Sequence, residues 1–176
     1  MKETVKIRFA TSEDAELLAK LGRETFHDAF AENPLMPQDD LQLYLDSAFT
    51  VSNIASELKD TKTIFLLAEI DSKAVGYAKL DCGVTTDGVS GENPIKLKRL
   101  YNKQEFIGFG IGKSLMLRCF DEAKKLNHDT IWLTVWKHNL QAQNFYRKFQ
   151  FEECGTFDFH LGETTFLDVL MQRWLS

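Results

Sequence analysis

Three glycines at alternate positions, Gly108, Gly110 and Gly112, separate a strand-like run ending at Tyr101 from an amphipathic run that begins at Ile111. Glycines so spaced let a backbone approach a ligand closely. Free N–H groups at the start of the following helix would then face that ligand, which suits a phosphate or pyrophosphate. The same glycines also fit a tight turn that merely permits helix–sheet packing. Two familiar phosphate loops fail on spacing. A Walker A loop ending at Gly112-Lys113-Ser114 needs glycine at position 107, where Ile107 stands. The dinucleotide pattern G-x-G-x-x-G would need glycine where Lys113 or Leu115 stands. Downstream, Asn139 and Tyr146 lie seven residues apart, two turns along one helix face, so both can line one cleft. In the same segment Ala142, Phe145 and Phe149 read as a core stripe, and Asn139 also reads as a helix N-cap. Covalent catalysis finds no support: no G-x-S-x-G elbow occurs and no Cys–His pairing is suggested.

Taken together, these segments resemble the GCN5-related N-acetyltransferase (GNAT) superfamily. Gly110 and Gly112 match the last two positions of its Q/R-x-x-G-x-G/A signature, with Gly108 at the commonly glycine second position, while Ile107 replaces the usual Gln or Arg. That replacement removes a polar side chain near the diphosphate and leaves the backbone donors. Val135 to Phe151 resembles V-x-x-x-N-x-x-A-x-x-F-Y-x-x-x-G-F, with Asn139, Ala142, Phe145, Tyr146 and Phe151 matching and Gln150 replacing glycine. The stretches around Thr25 to Phe30, Tyr44-Leu45, Val75 to Leu80, Phe159 to Glu163 and Asp168 to Met171 are similar to the PaiA-like spermidine/spermine branch.

The resemblance implies acetyl-CoA as cosubstrate and direct transfer in a ternary complex. Leu100, Tyr101 and Asn102 would hold the pantetheine arm through their backbone, and a backbone N–H there would polarise the thioester carbonyl. Gly108, Phe109, Gly110, Ile111, Gly112 and Lys113 would cradle the diphosphate. Asn139 would bind the cofactor and Tyr146 would give its proton to the departing thiolate. The acceptor amine must lose a proton before attack, which costs about 4 to 5 kcal/mol at pH 7 for a lysine-like group. Glu105, Asp81 and His138 are candidates for the base, each also readable as a solvated or structural residue. For a cationic acceptor, Phe26, Phe30, Tyr44 and Asp81, with Glu32 and Asp39, could supply a groove.

Those residues need a scaffold, and the chain's patterning describes one. Val5 to Phe9 alternates as a strand. Thr11 or Ser12 caps a helix carrying Leu17, Leu18, Leu21, Thr25, Phe26 and Phe30, which Asn33-Pro34 and Pro37 end. Shorter helices are expected at 39–46 and 51–59. Thr63 to Ala68 and Ala74 to Leu80 form a hairpin turning at Asp71-Ser72-Lys73, and a polar loop (85–93) leads to a third strand, 95–101. The helix after the glycines places Ile111, Leu115, Cys119, Ala123 and Leu126 on one face. A strand at 130–135, a helix over 139–149 and two last strands parted near Leu161-Gly162-Glu163 complete the pattern. The expected fold is α/β: one domain over 1–176, with a mixed, mostly antiparallel sheet of about seven strands flanked by helices. The resemblance adds a splayed V between the central strands.

The bulk numbers set limits on function. A formal net charge of -5 and a pI near 5.4 disfavour a DNA- or RNA-tracking protein and mildly favour cationic substrates. Cys82, Cys119 and Cys154 are odd in number and unpaired by spacing, the pattern of reduced thiols. No apolar run approaches the length of a membrane helix, and Met1 to Lys6 lacks the apolar core of a signal peptide. A cytoplasmic protein with no membrane partner is expected. His27, His128, His138 and His160 have no metal-ligand spacing, so no metal is expected. Exposed strand edges and the aromatic tail (Phe157, Phe159, Phe166, Trp174) are compatible with a homodimer and equally with a monomer. The favoured reading is an N-acetyltransferase acting on a small primary amine, a polyamine among the options. A peptide or protein amine, and a non-catalytic acetyl-CoA-binding module, are the alternatives.

Overall fold

Asp71 and Ser72 adopt positive φ, 49° and 62°, the conformation of a two-residue hairpin turn whose twist matches its strands. It joins β2 (Thr63–Ile70) to β3 (Lys73–Cys82), so each strand runs two residues beyond its expected end. The computed structural model describes residues 4–176. Residues 1–3, part of the stretch considered above as a targeting signal, lie outside the described residues.

β1 (Lys6–Phe9) pairs with β2 and forms one edge of a seven-stranded sheet. Beyond β3 come β4 (Pro94–Asn102), β5 (Thr130–Trp136), β7 (Thr164–Trp174) and β6 (Glu152–Leu161), in the spatial order β1-β2-β3-β4-β5-β7-β6. All neighbours are antiparallel except β4 and β5, which are parallel and pair only from Pro94↔Thr130 to Lys96↔Trp132. Past that point the two strands separate, while each keeps its other neighbour. β4 stays paired to β3 as far as Asn102 and β5 to β7 as far as Trp136. The edge of β4 from Leu97 to Asn102 that faces the gap therefore has no strand beside it. Its N–H and C=O groups are the kind that a ligand must satisfy if water does not.

The β3–β4 register jumps from Lys79↔Arg99 to Leu80↔Leu97, leaving Lys98 unopposed. This bulge resets the alternation, so Lys96 and Arg99 point to one face although three residues apart, while Leu97 points to the other.

Helices cover both faces. α1 (Ala15–Phe30), α2 (Gln38–Ala48) and α3 (Val51–Lys59) lie on one side and bury Leu18, Leu21, Phe26, Leu41, Leu45 and Ile54 against Leu67, Tyr77, Trp136 and Phe166. On the other side α4 (Ile111–Lys125) buries Ile111, Leu115, Met116, Cys119 and Ala123 against Leu66, Ala78, Leu80, Ile131 and Leu133. α5 (Leu140–Lys148) packs Ala142, Phe145 and Tyr146 against that second core. Truncating one of these core leucines to alanine removes about 2 to 5 kcal/mol. Thr11 caps a single turn (Ser12–Asp14) that leads into α1, and Asp14 reciprocates in a capping box. Two expected core positions differ. Leu126 is 48% exposed because α4 has ended and residue 126 is its C-cap; Leu17 is 38% exposed at the edge of the α1 stripe. Among the described residues no helix is long and apolar enough to cross a membrane.

Candidate active site

The parting of β4 and β5 opens the sheet between the two cores, and two cavities meet there. The first, about 550 Å³, is lined by Leu100, Tyr101 and Asn102 at the end of β4, by Thr25, Asp28 and Ala29 of α1, by the glycine loop, and by Asn139, Gln141, Ala142, Phe145 and Tyr146. The second, about 430 Å³, is lined by Phe26, Phe30 and Tyr44, by Lys96 to Tyr101, by Thr134 to Trp136, and by Phe157 to Leu161 with Phe166 and Asp168. Leu100, Tyr101, Asn139, Ala142 and Tyr146 belong to both linings.

The first cavity is built largely from backbone. Gly108 and Gly110 have φ of 91° and 79°, and Gly110 is the left-handed N-cap of α4. The first bond of the helix runs from the Ser114 N–H to the Gly110 carbonyl at 3.0 Å. The N–H groups of Ile111, Gly112 and Lys113 thus have no helical acceptor and stand on the cavity wall at the positive end of a 15-residue helix. At Gly112 a Cβ would meet the Phe145 ring at 3.3 Å, so the last glycine sets the approach of α5 to α4. Ile107 is 58% exposed at the loop rim, and Phe109 turns away from the cavity to meet the edge of Phe106. This arrangement offers a diphosphate backbone donors and a helix dipole, with Lys113 as the one flexible cation on the wall among the described residues.

Asn139 is the expected N-cap of α5. Its Oδ1 accepts from the Ala142 N–H at 3.1 Å as the N-cap of α5, and the residue lines both cavities. Buried Gln143 donates to the carbonyls of Trp136 at 3.1 Å and Lys137 at 2.9 Å, which fixes α5 to the end of β5. That anchor went unnoticed in the sequence because glutamine on a helix reads as solvated. Tyr146 projects from this fixed helix. Burial pushes its hydroxyl well above the ordinary tyrosine range, so it keeps its proton at neutral pH.

The second cavity is walled by side chains. Phe26 lies 4.6 Å from both Phe30 and Tyr44 (ring centroids), Tyr44 is 5.9 Å from Phe159, and Phe30 is 6.1 Å from Trp136. Tyr101 stacks on Tyr77 at 6.3 Å. Asp168 is buried in this wall. Burial pushes its carboxyl up to about 6, against a hydrogen bond from Thr134 and the pull of Lys96 and Lys98.

Phe26, Phe30 and Tyr44, three of the residues read as a groove for a cationic acceptor, line the second cavity. Asp81 does not: it is half-buried beside Lys79 and Thr63 and lines neither cavity. Glu105, His138, Glu32 and Asp39 are exposed and also line neither cavity. The carboxylates that do line the second cavity are Asp158 and Asp168. Asp168 had a signal in the sequence. It occupies an inward position in the alternation Phe166-x-Asp168-x-Leu170, where a charge is out of place unless the face opens onto something polar.

Comparison with known proteins agrees with this geometry. The acetyltransferase (GNAT) family model matches residues 23–151. The chain belongs to this family and is an N-acetyltransferase. It is 26% identical over 171 residues to an uncharacterized N-acetyltransferase encoded in the pepI 3' region of Lactobacillus delbrueckii subsp. lactis, covering 97% of this chain and 98% of that one. It is 25% identical over 162 residues to the spermidine N(1)-acetyltransferase of Thermoplasma acidophilum, covering 89% and 94%. Among solved structures, the PaiA N-acetyltransferase of Thermoplasma acidophilum in complex with coenzyme A superposes with a TM-score of 0.77 at 23% identity, over 97% of this chain and 99% of that one. YncA of Salmonella typhimurium, solved with acetyl-CoA, gives 0.71 at 17% identity, over 98% and 94%. These two likenesses are of fold.

Proposed function

We infer that the protein transfers an acetyl group from acetyl-CoA to the primary amine of a small molecule, both bound at once. The observation that carries this reading is the wall shared by the two cavities: a cofactor in one and an amine in the other meet at Leu100, Tyr101 and Tyr146. The neighbours solved with coenzyme A or acetyl-CoA support the choice of cofactor.

In this reading the diphosphate takes the free N–H groups at the start of α4 and the charge of Lys113. The pantetheine arm pairs with the unpartnered edge of β4 through Leu100, Tyr101 and Asn102. A β4 N–H polarises the thioester carbonyl and then stabilises the tetrahedral oxyanion. The aromatic wall strips water from the incoming ammonium and lowers its pKa. Asp168 takes the proton that the amine must lose, directly or through water. As the intermediate collapses, Tyr146 donates its proton to the sulfur of the leaving coenzyme A, and the second proton lost by the acetylated nitrogen returns to the tyrosine oxygen, directly or through water. Ile107 at the loop rim adds no polar side chain, which leaves diphosphate binding to the backbone donors and Lys113.

A polyamine acceptor is the second reading. It is supported by the similarity to a spermidine N(1)-acetyltransferase and by the aromatic wall with Asp158 and Asp168, which suits a cation. The test of simultaneous binding is the initial-rate pattern with both substrates varied. Intersecting double-reciprocal lines are expected, and parallel lines would require an acetyl-enzyme and discard the scheme.

A further inference from the structure

Lys79, Arg99 and Lys96 stand on one face of β3 and β4, each more than nine-tenths buried. Two of them have a carboxylate. Lys79 Nζ lies 3.3 Å from Glu57 Oε1 and 3.5 Å from Asp81 Oδ1, and Arg99 Nη1 lies 3.1 Å from Glu57 Oε2. Lys96 has none within ion-pair distance among the described residues. Its ammonium sits over the rings of Trp132 at 4.7 Å and Phe157 at 5.5 Å, with Asp81 and Asp168 acting only from farther away and Lys98 and Lys79 opposing them. Burial, and next the nearby Lys98, pull its pKa down to about 8, which leaves it mostly protonated at neutral pH. A buried cation without a counter-charge is costly, and folded proteins seldom keep one that nothing neutralises.

Lys96 lines the second cavity. So does Lys98, exposed on the β4 bulge and free of ion pairs among the described residues. The Nε of Arg99, on the same wall, is a buried donor without a partner. The strand register orders these groups along the cavity. Lys96 is level with Trp132 at the last β4–β5 pair; farther along β5, Trp136 pairs with Asp168, which pairs in turn with Phe157, over whose ring the Lys96 ammonium sits. The Asp168 carboxylate and the ammonium groups of Lys96 and Lys98 thus stand on the wall of one cavity, with Phe157 next to both Lys96 and Asp168.

We propose that the acceptor is an amine that also carries an oxyanion, a carboxylate or a phosphate monoester, which Lys96 and Lys98 bind while the amine lies beside Asp168. This rests on the acetyl-transfer reading above and narrows it away from polyamines, which have no anionic group to neutralise Lys96.

The test compares kcat/KM for four amines of matched chain: pentylamine, cadaverine, ε-aminocaproate and aminopentyl phosphate. At least one anionic amine is expected to exceed both pentylamine and cadaverine by about tenfold, the worth of one hydrogen-bonded charge pair. Whichever of ε-aminocaproate and aminopentyl phosphate leads identifies the oxyanion. K96M should lower kcat/KM for the anionic amine about tenfold more than for pentylamine. A thermal melt shows that K96M is folded, as removal of an unpaired buried charge predicts. Preference for cadaverine, or an equal effect of K96M on all four amines, would overturn the inference and leave acetyl transfer standing. Thiol release with none of the amines would instead remove the small-amine reading, and this inference with it.

Discussion

The two cavities that meet at Tyr146 are built by different means. The one beside the glycine loop takes most of its lining from two runs of the chain, Leu100 to Lys113 and Asn139 to Tyr146, with Thr25, Asp28 and Ala29 of α1 added. The one beneath α1 and α2 draws on α1, α2, β4, β5, α5, β6 and β7, so its lining comes from positions more than 140 residues apart in the chain. Backbone donors at a helix start suit a cosubstrate common to many enzymes, because they make few demands on side-chain identity. Side chains gathered from seven elements can change one at a time, which suits a wall that selects an acceptor. The contrast teaches that the chemistry of this chain sits in local segments and its specificity in the topology.

Substitutions on either side should therefore separate the two functions. The largest effect is expected at the shared wall. Tyr146→Phe removes the proton donor and should lower kcat about a hundredfold while the acetyl-CoA Kd, read by calorimetry, stays nearly unchanged. Undiminished turnover would take Tyr146 out of the acid role. Next, Asp168→Asn should lower acceptor kcat/KM about tenfold at pH 7 with little change in acetyl-CoA KM. Its pH signature has a defined sign. The Asp168 carboxyl titrates near 6 in the folded protein against an ordinary 3.8, so activity should fall as pH drops through about 6, and the variant should lose that limb. Because the folded state holds this proton more tightly than the unfolded one, the group makes stability decline as pH rises from about 4 to about 6. Melting temperatures of D168N across that window should lack the decline. An identical profile in both proteins would show that Asp168 is not the titrating group.

On the opposite side, Gly110→Ala forces a left-handed φ of 79° on a residue with a side chain. A strain of about 1 to 2 kcal/mol at the loop should raise the acetyl-CoA Kd roughly tenfold and leave acceptor KM nearly constant. A change confined to the acceptor would reverse the assignment of the cavities. The smallest effect is expected at Asn139→Ala. Loss of the α5 cap costs about 1 kcal/mol, a shift of roughly 2 to 4 °C in Tm for a chain of this size, together with a weaker hold on both substrates.

The same division governs how far the sequence could be read. The glycine spacing, the Asn139–Tyr146 segment and the element order up to the last hairpin were open to reading because each depends on local rules of periodicity, capping and turns. Asp71-Ser72 turned where expected, and α5 spans Leu140–Lys148 between Asn139 and Phe149. The acceptor cavity was not readable in this way. Asp81 sits in a strand beside the right elements, yet its side chain is engaged with Lys79 and Thr63. Lys96 reaches the cavity face in the company of Arg99 only because of the bulge at Lys98, which alternation counting does not foresee. Asp168 is brought opposite β4 by an antiparallel return strand whose register depends on the whole of β7.

The central claim is that a cosubstrate thioester and an amine meet at the shared wall. The most direct test is release of free thiol from acetyl-CoA by the intact protein, with and without a panel of small primary amines. The account predicts release that depends on an amine and saturates with it. Acetyl-CoA bound with measurable affinity but no thiol released with any amine would contradict it.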